Sequence, residues 1–164
     1  ASERAAKGHE VSAWITGSAI RGDALHITAP RPDGAELERA IRMALGPLPP
    51  EEIAAVVGHG TGTRYNDEME IRAIRRVFGD TVPLASAKGA CGHTLGASGM
   101  IQAILAVEAL RRKTLFPQTG LETPEPGAER MVSRQPQVLN GKAALSLNSG
   151  FGGVNAAVLL EAES

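Results

Sequence analysis

Two histidines and one lysine lie in glycine-rich runs: His59 in GHGTGT (residues 58–63), and Lys88 and His93 in SAKGACGHTLGASG (residues 86–99). A third such run, NSGFGG, occupies residues 148–153. Together they bring imidazole, ammonium and small hydroxyl groups beside many backbone N–H groups that no bulky side chain covers. That set suits a site stabilising negative charge that develops on an oxygen. Singly, each residue has a plainer reading. A lone histidine is more often a hydrogen-bonded structural residue, and a lone lysine a surface one. Neither His59 nor His93 has a second ligand at His-x-x-x-His or Cys-x-x-Cys spacing, which argues against a metal. Neither G-x-G-x-x-G nor G-x-x-x-x-G-K-[ST] is present, and NSGFGG leads into a strand rather than a helix, so a nucleotide cradle is a weak reading. Cys91, the only thiol, stands two residues from His93. It reads either as a nucleophile or as a small buried filler.

The elements that must position these groups follow from periodicity. Val11, Ala13 and Ile15 alternate with Ser12, Trp14 and Thr16 as in a strand. Asp33 and Glu36 have capping-box spacing, and Leu37, Ile41, Ala44 and Leu45 form the stripe of a helix that Gly46 and Pro47 end. Residues 53–57 are a short apolar run, a buried strand. Asp67 and Glu70 repeat the capping spacing before a stripe of Ile71, Ile74 and Phe78. Residues 82–86 predict a third strand. Residues 97–112 are apolar nearly all round (Met100, Ile101, Ile104, Leu105, Val107, Leu110), which predicts a buried helix. Residues 114–142 hold four prolines and no clear period, a long loop of the kind that covers something. Residues 143–147 and 154–160 are strands joined by NSGFGG. The order βαβαβα-loop-ββ gives an α/β fold with a parallel or mixed sheet and helices on its faces. All three glycine-rich runs then fall beyond the C-terminal ends of strands, where sites of open α/β sheets lie.

Composition narrows the partners. Among 164 residues, 17 Lys+Arg against 18 Asp+Glu give no electrostatic case for nucleic acid or a membrane surface. No apolar run approaches the roughly 18 residues of a membrane span. A single cysteine excludes an internal disulfide and fits a reducing, cytoplasmic setting. Apolar content of 43% with only 3% aromatics implies a core of small aliphatic side chains. Residues 1–7 with Gly8 read as the tail of a helix, so the chain is expected to begin inside a larger protein.

Taken together, VVGHGTGTRYNDEMEI, SAKGACGHTLGASG and NSGFGGVNAAV resemble, in order and spacing, the motifs of the C-terminal half of the β-ketoacyl synthases, of the thiolase-like superfamily. The resemblance runs over essentially the whole chain, so residues 1–164 read as one C-terminal domain of that fold, a mixed and mostly parallel sheet with helices on its faces. It implies decarboxylative Claisen condensation in fatty acid or polyketide synthesis. His59 and His93 would hold the malonyl thioester oxygen as enolate charge develops, and Lys88 would orient and tune them. Thr61 and Thr63 would bind the phosphopantetheine arm, and no further cofactor is implied. Phe151 would gate the site and lend its backbone N–H to the acyl oxyanion, with Gly150, Gly152 and Gly153 letting the turn move. Implied partners are an acyl carrier protein and either the missing N-terminal half or a partner ketosynthase subunit, in a homo- or heterodimer. The family's nucleophilic cysteine lies in that N-terminal half, so Cys91 is not its counterpart. Gln102 stands where many fatty-acid members carry a glutamate that pairs with the lysine. Ser149 stands where many of them have a second Phe, which leans toward a polyketide-like subgroup. The alternatives are a non-catalytic partner subunit or an isolated half-domain with a scaffolding or chain-length role. A half-domain of this kind should expose an apolar face.

Overall fold

The computed structural model describes residues 7–8 and 11–162. The helix tail expected over residues 1–7 lies outside them, apart from Lys7, which sits with Gly8 in an exposed turn. The chain runs β1 (Ala13–Gly22), α1 (Ala35–Leu45), β2 (Ile53–Val57), α2 (Arg64–Phe78), β3 (Leu84–Ala85), α3 (Lys88–Cys91), α4 (Ser98–Arg112), β4 (Thr114–Leu115), β5 (Gln137–Val138), β6 (Ala143–Gly150) and β7 (Val154–Ala162). Five strands form one sheet in the order β1-β7-β6-β2-β3.

Strand β2 runs parallel to β3 and β6, whereas β7 is antiparallel to both β6 and β1. The sheet is therefore mixed, with parallel pairs equal in number to antiparallel ones rather than in the majority. The cause is local. The turn between β6 and β7 is too short for a crossover, so the two must be antiparallel, and β1 then adds to the outer edge of β7.

Alternation along the strands divides the core. Val56, Leu145, Leu147 and Leu159 face α1 and α2, meeting Leu37, Ile41, Met69 and Ile74. Ala55, Val57, Ala144 and Leu160 face the other way, onto Ala106, Ala109 and Leu110 of α4. Each fully buried Leu or Ile contributes roughly 1.5–3 kcal/mol. The alanines on the α4 side let helix and sheet approach closely.

Neither capping box forms. Helix α1 is capped by Gly34 in the left-handed region; the Asp33 carboxylate accepts the Ala35 N–H at 3.0 Å and pairs with Arg31. Glu36 turns instead to Arg21 and Arg39. Helix α2 begins at Arg64, ahead of Asp67, whose own N–H donates to Thr63 O. Glu70 is thereby carried nearly two turns into the helix, where it is buried. Helix α4 is not buried all round: Met100 and Ile104 are 68% and 54% exposed, because only one layer lies against it. The 114–142 segment carries the small β4–β5 pair, and β3 is shorter than the strand expected over 82–86. No helix among the described residues is long and apolar enough to cross a membrane.

Candidate active site

Because β2, β3 and β6 are parallel, their C-terminal ends open on one edge, and the three glycine-rich runs meet there. His59 follows β2 by two residues and is 5% exposed. Lys88 opens α3 after β3, and its Nζ lies 3.2 Å from His59 Nδ1 while also donating to His59 O. The His59 and His93 rings sit edge to face, with centroids 5.4 Å apart. His59, Lys88 and His93 are therefore neighbours in space, as their sequence grouping predicts.

The orientation of both rings is set from behind. An ammonium group can only donate, so His59 Nδ1 accepts from Lys88 and the neutral ring carries its proton on Nε2. His93 Nδ1 accepts the Leu95 N–H at 3.0 Å, which assigns its proton to Nε2 as well. Leu95 pays for that contact with a left-handed backbone, φ +49°. Burial first and the Lys88 charge second lower the His59 pKa from 6.5 to about 4, against the opposing effect of the Asn148 side chain. His59 is therefore neutral at pH 7. Burial also lowers the Lys88 pKa, against the attraction of Glu70.

The backbone of the His59 loop is gripped by side chains. The Glu70 carboxylate accepts the N–H of His59 at 2.6 Å and of Gly60 at 2.8 Å. Burial raises the Glu70 pKa to about 7 despite those two bonds. Ser86 Oγ donates to Gly60 O at 2.9 Å. Gly60 has φ +40°, and a Cβ there would lie 2.5 Å from that of Ser86. Gln102, buried in α4, donates from Nε2 to Gly58 O and Leu147 O, and not to Lys88.

A cavity of about 740 Å³ opens in front of the histidines, lined among others by Thr61, Thr63, Asn148 and Phe151. The Thr61 and Thr63 hydroxyls are 2.7 Å apart. Phe151 is 81% exposed at the tip of the β6–β7 turn. The turn is tied to the 23–31 segment: Gly152 N–H donates to Ile27 O, Asp23 N–H to Gly153 O, and Asn155 Nδ2 to the Asp23 carboxylate. Gly153 needs its φ of +72° and the space a Cβ would take from Asp23. Gly150, Gly152 and Gly153 all belong to this turn or its entry. Cys91 is exposed, donates to Ala87 O within its own helical turn and lines neither large cavity, so it is no buried filler, although it shares its short helix with Lys88. Among the described residues, no group of three or more His, Cys, Asp or Glu could hold a metal ion.

Sequence reasoning missed Glu70, which it read as a cap, and it missed the roles of Ser86 and Asn148. Asn148 had a signal, as the first residue of the NSGFGG run. Glu70 had one too: a carboxylate on the apolar side of its helix.

Comparison with known proteins identifies the family. Residues 12–122 match the family model described as the beta-ketoacyl synthase C-terminal domain. A Streptomyces cyaneus protein named as a polyketide beta-ketoacyl synthase is 40% identical over 162 residues, covering 94% of this chain and 38% of that protein. A 3-oxoacyl-[acyl-carrier-protein] synthase 2 from Synechocystis is 39% identical over 156 residues, covering 92% and 38%. Among solved structures, a beta-ketoacyl synthase from Burkholderia phymatum superposes with TM-score 0.92 at 29% identity, over 100% of this chain and 41% of that one. The ketosynthase ApeO of Xenorhabdus doucetiae, solved in complex with its chain length factor ApeC, gives TM-score 0.85 at 34% identity, over 94% and 40%. The chain thus spans about two fifths of the length of the curated relatives it matches. With a thiolase-like ketosynthase fold and a family model matched over most of its length, the chain belongs to the C-terminal domain family of the β-ketoacyl synthases.

Proposed function

We propose that this chain supplies the decarboxylating site of a β-ketoacyl synthase, an acyltransferase of fatty acid or polyketide synthesis, and that residues 1–164 act as its C-terminal domain. The observation that carries the reading is the pair of neighbouring rings whose Nδ1 atoms both accept, which leaves each an Nε2–H donor for one substrate oxygen, that oxygen taking the place of the Asn148 side chain beside His59. A malonyl thioester held on phosphopantetheine would place its thioester oxygen there. Its carbon–carboxylate bond breaks, CO₂ leaves, and the electron pair moves onto the thioester as an enolate whose oxygen takes both hydrogen bonds. Those bonds strengthen as the charge forms, so they lower the barrier. The enolate carbon then attacks an acyl group held as a thioester on a cysteine. The new C–C bond forms, the acyl carbon–sulfur bond breaks and the cysteine thiolate leaves, so the lengthened chain stays on the acyl carrier protein. A segment outside this chain, either an N-terminal half or a partner subunit, provides that cysteine.

Lys88 orients His59 and keeps it neutral. Thr61 and Thr63 bind the pantetheine arm, and Phe151 gates the cavity and offers its N–H to the acyl oxygen, with Gly150, Gly152 and Gly153 permitting the movement. An acyl carrier protein delivers the substrate, and the assembly is a homo- or heterodimer. A non-catalytic, chain-length role is the weaker reading, since a scaffold has no use for two oriented donors.

The test is CO₂ release from malonyl-acyl carrier protein by the full-length protein. His59→Ala or His93→Ala should slow it roughly 10²–10³-fold. Wild-type rates in both variants would refute the assignment.

A further inference from the structure

The β2–β6 ladder ends at the Val57–Ser146 pair. Just past it, the carbonyls of Gly58 and Leu147 have no partner across that ladder. Gln102 bridges them. It is 2% exposed within α4, and its Nε2 donates to Gly58 O at 2.6 Å and to Leu147 O at 2.7 Å. Its Oε1 has no partner among the described residues, so the two carbonyls orient the amide; turned over, it would set an acceptor against two acceptors. The residues that follow these carbonyls are His59 and Asn148, and the Asn148 side chain is close enough to the His59 ring to oppose the lowering of its pKa.

We propose that Gln102 is a positioning residue: its amide spans the fork between the ends of β2 and β6 and fixes the spacing of His59 and Asn148. The inference deepens the proposed decarboxylating role of His59 and rests on it. Two hydrogen bonds from one planar NH₂ group define a distance between two strands in a way that packing of an apolar side chain does not. Without them, two buried carbonyls must find other partners, and the fork opens to water. Water at the fork would both loosen His59 and relieve the burial that keeps its ring neutral.

Gln102→Met in the full-length protein keeps the length and volume of the side chain but removes the donors. Unfolding should stay cooperative. The kcat for malonyl decarboxylation should fall about tenfold or more, with KM within about twofold. In histidine-labelled protein, NMR should show the His59 ring titrating about one unit higher than in the wild type. A Met variant with wild-type kcat and wild-type titration overturns the proposal. Should the wild type itself fail to decarboxylate malonyl, the functional reading falls, while the His59 titration still decides for or against the bridge. Should the Met variant fail to fold, the wild type decides. Its Gln102 side-chain amide protons should exchange slowly with solvent, and exchange as fast as from an exposed glutamine overturns the bridge.

Discussion

Lys88→Met isolates the part of the His59 environment that is charge rather than burial. The wild-type ring sits at about 4, against an ordinary 6.5, with burial as the larger cause and the Lys88 ammonium as the second. With Nζ 3.2 Å from Nδ1, the ammonium and an imidazolium would have charge centres about 5 Å apart. At an effective dielectric near 20 that repulsion is about 3 kcal/mol, which is a ceiling. Lys88 is only half buried, and Glu70 offsets part of its charge, so solvent and carboxylate reduce it to about 1.4 kcal/mol, or one pKa unit. In the Met variant the ring should therefore titrate near 5 rather than 4, followed by NMR in labelled full-length protein. The neutral ring also loses the donor that holds its proton on Nε2. Decarboxylation at pH 7 should then fall between about tenfold and about a hundredfold. A ring still titrating at about 4, with an unchanged rate, would refute the reasoning: burial alone would set the ring, and Lys88 would be a bystander.

Other substitutions test the surrounding frame. The Glu70 pKa, raised to about 7 from 4.5, contributes stability that is present below 4.5 and lost as pH rises through 7. Glu70→Gln should therefore flatten the fall in Tm between pH 5 and pH 8, while lowering activity because an amide NH₂, a donor, replaces one carboxylate oxygen and faces a backbone N–H. A wild-type Tm slope in the variant would count against a buried, proton-binding Glu70. Gly60→Ala meets Ser86 and a left-handed φ, so it should cost about 2–4 kcal/mol in chemical denaturation; a neutral substitution would mean that the loop is not held as described. Asp23→Ala leaves the Asn155 amide buried without its carboxylate, so hydrogen exchange at residues 150–153 should accelerate at least about fivefold, and unchanged exchange would refute the tie. Cys91→Ala should leave formation of the acyl-enzyme in the full-length protein unchanged, and loss of the adduct by mass spectrometry would restore Cys91 as the nucleophile.

The strands, the two-sided core and the meeting of His59, Lys88 and His93 were legible because each depends on local patterning. Buried strands read as apolar runs, and parallel order puts the residues after them on one edge. Residues with two uses were not legible. Asp33–Glu36 and Asp67–Glu70 both satisfy the capping spacing, yet Glu36 goes to Arg21 and Glu70 to the His59 loop. Spacing within a helix cannot state which partner outside the helix wins. Gln102 was seen at its position, but its contacts run to two carbonyls contributed by distant strands. The exposed side of α4 marks another boundary: an all-round apolar pattern predicts burial, yet Met100 and Ile104 stay exposed.

A glycine-rich loop beside an active site is readily taken for a flexible one, and residues 58–60 are the opposite. Every backbone polar group of the three has a partner. Gly58 N–H goes to Ala85 O and Gly58 O receives Gln102; His59 N–H goes to Glu70 and His59 O receives Lys88; Gly60 N–H goes to Glu70 and Gly60 O receives Ser86. All but the first of these partners are side chains, drawn from α2, α3, α4 and the residue after β3. The glycines serve this grip, because neighbouring groups occupy the space their side chains would take. Donors that must meet a developing charge work best when they need not reorganise, and a main chain held at every polar group provides that. The β6–β7 turn contrasts with it: Phe151 stands exposed, and the turn is tied mainly through Gly152, Gly153 and Asn155. Fixed donors behind and a lightly tied aromatic in front suit a reaction whose substrate must enter and whose transition state must then meet a rigid site. If instead the 58–60 amides exchanged as fast as those of the β6–β7 turn, the contrast between a fully held loop and a less tied turn would fail.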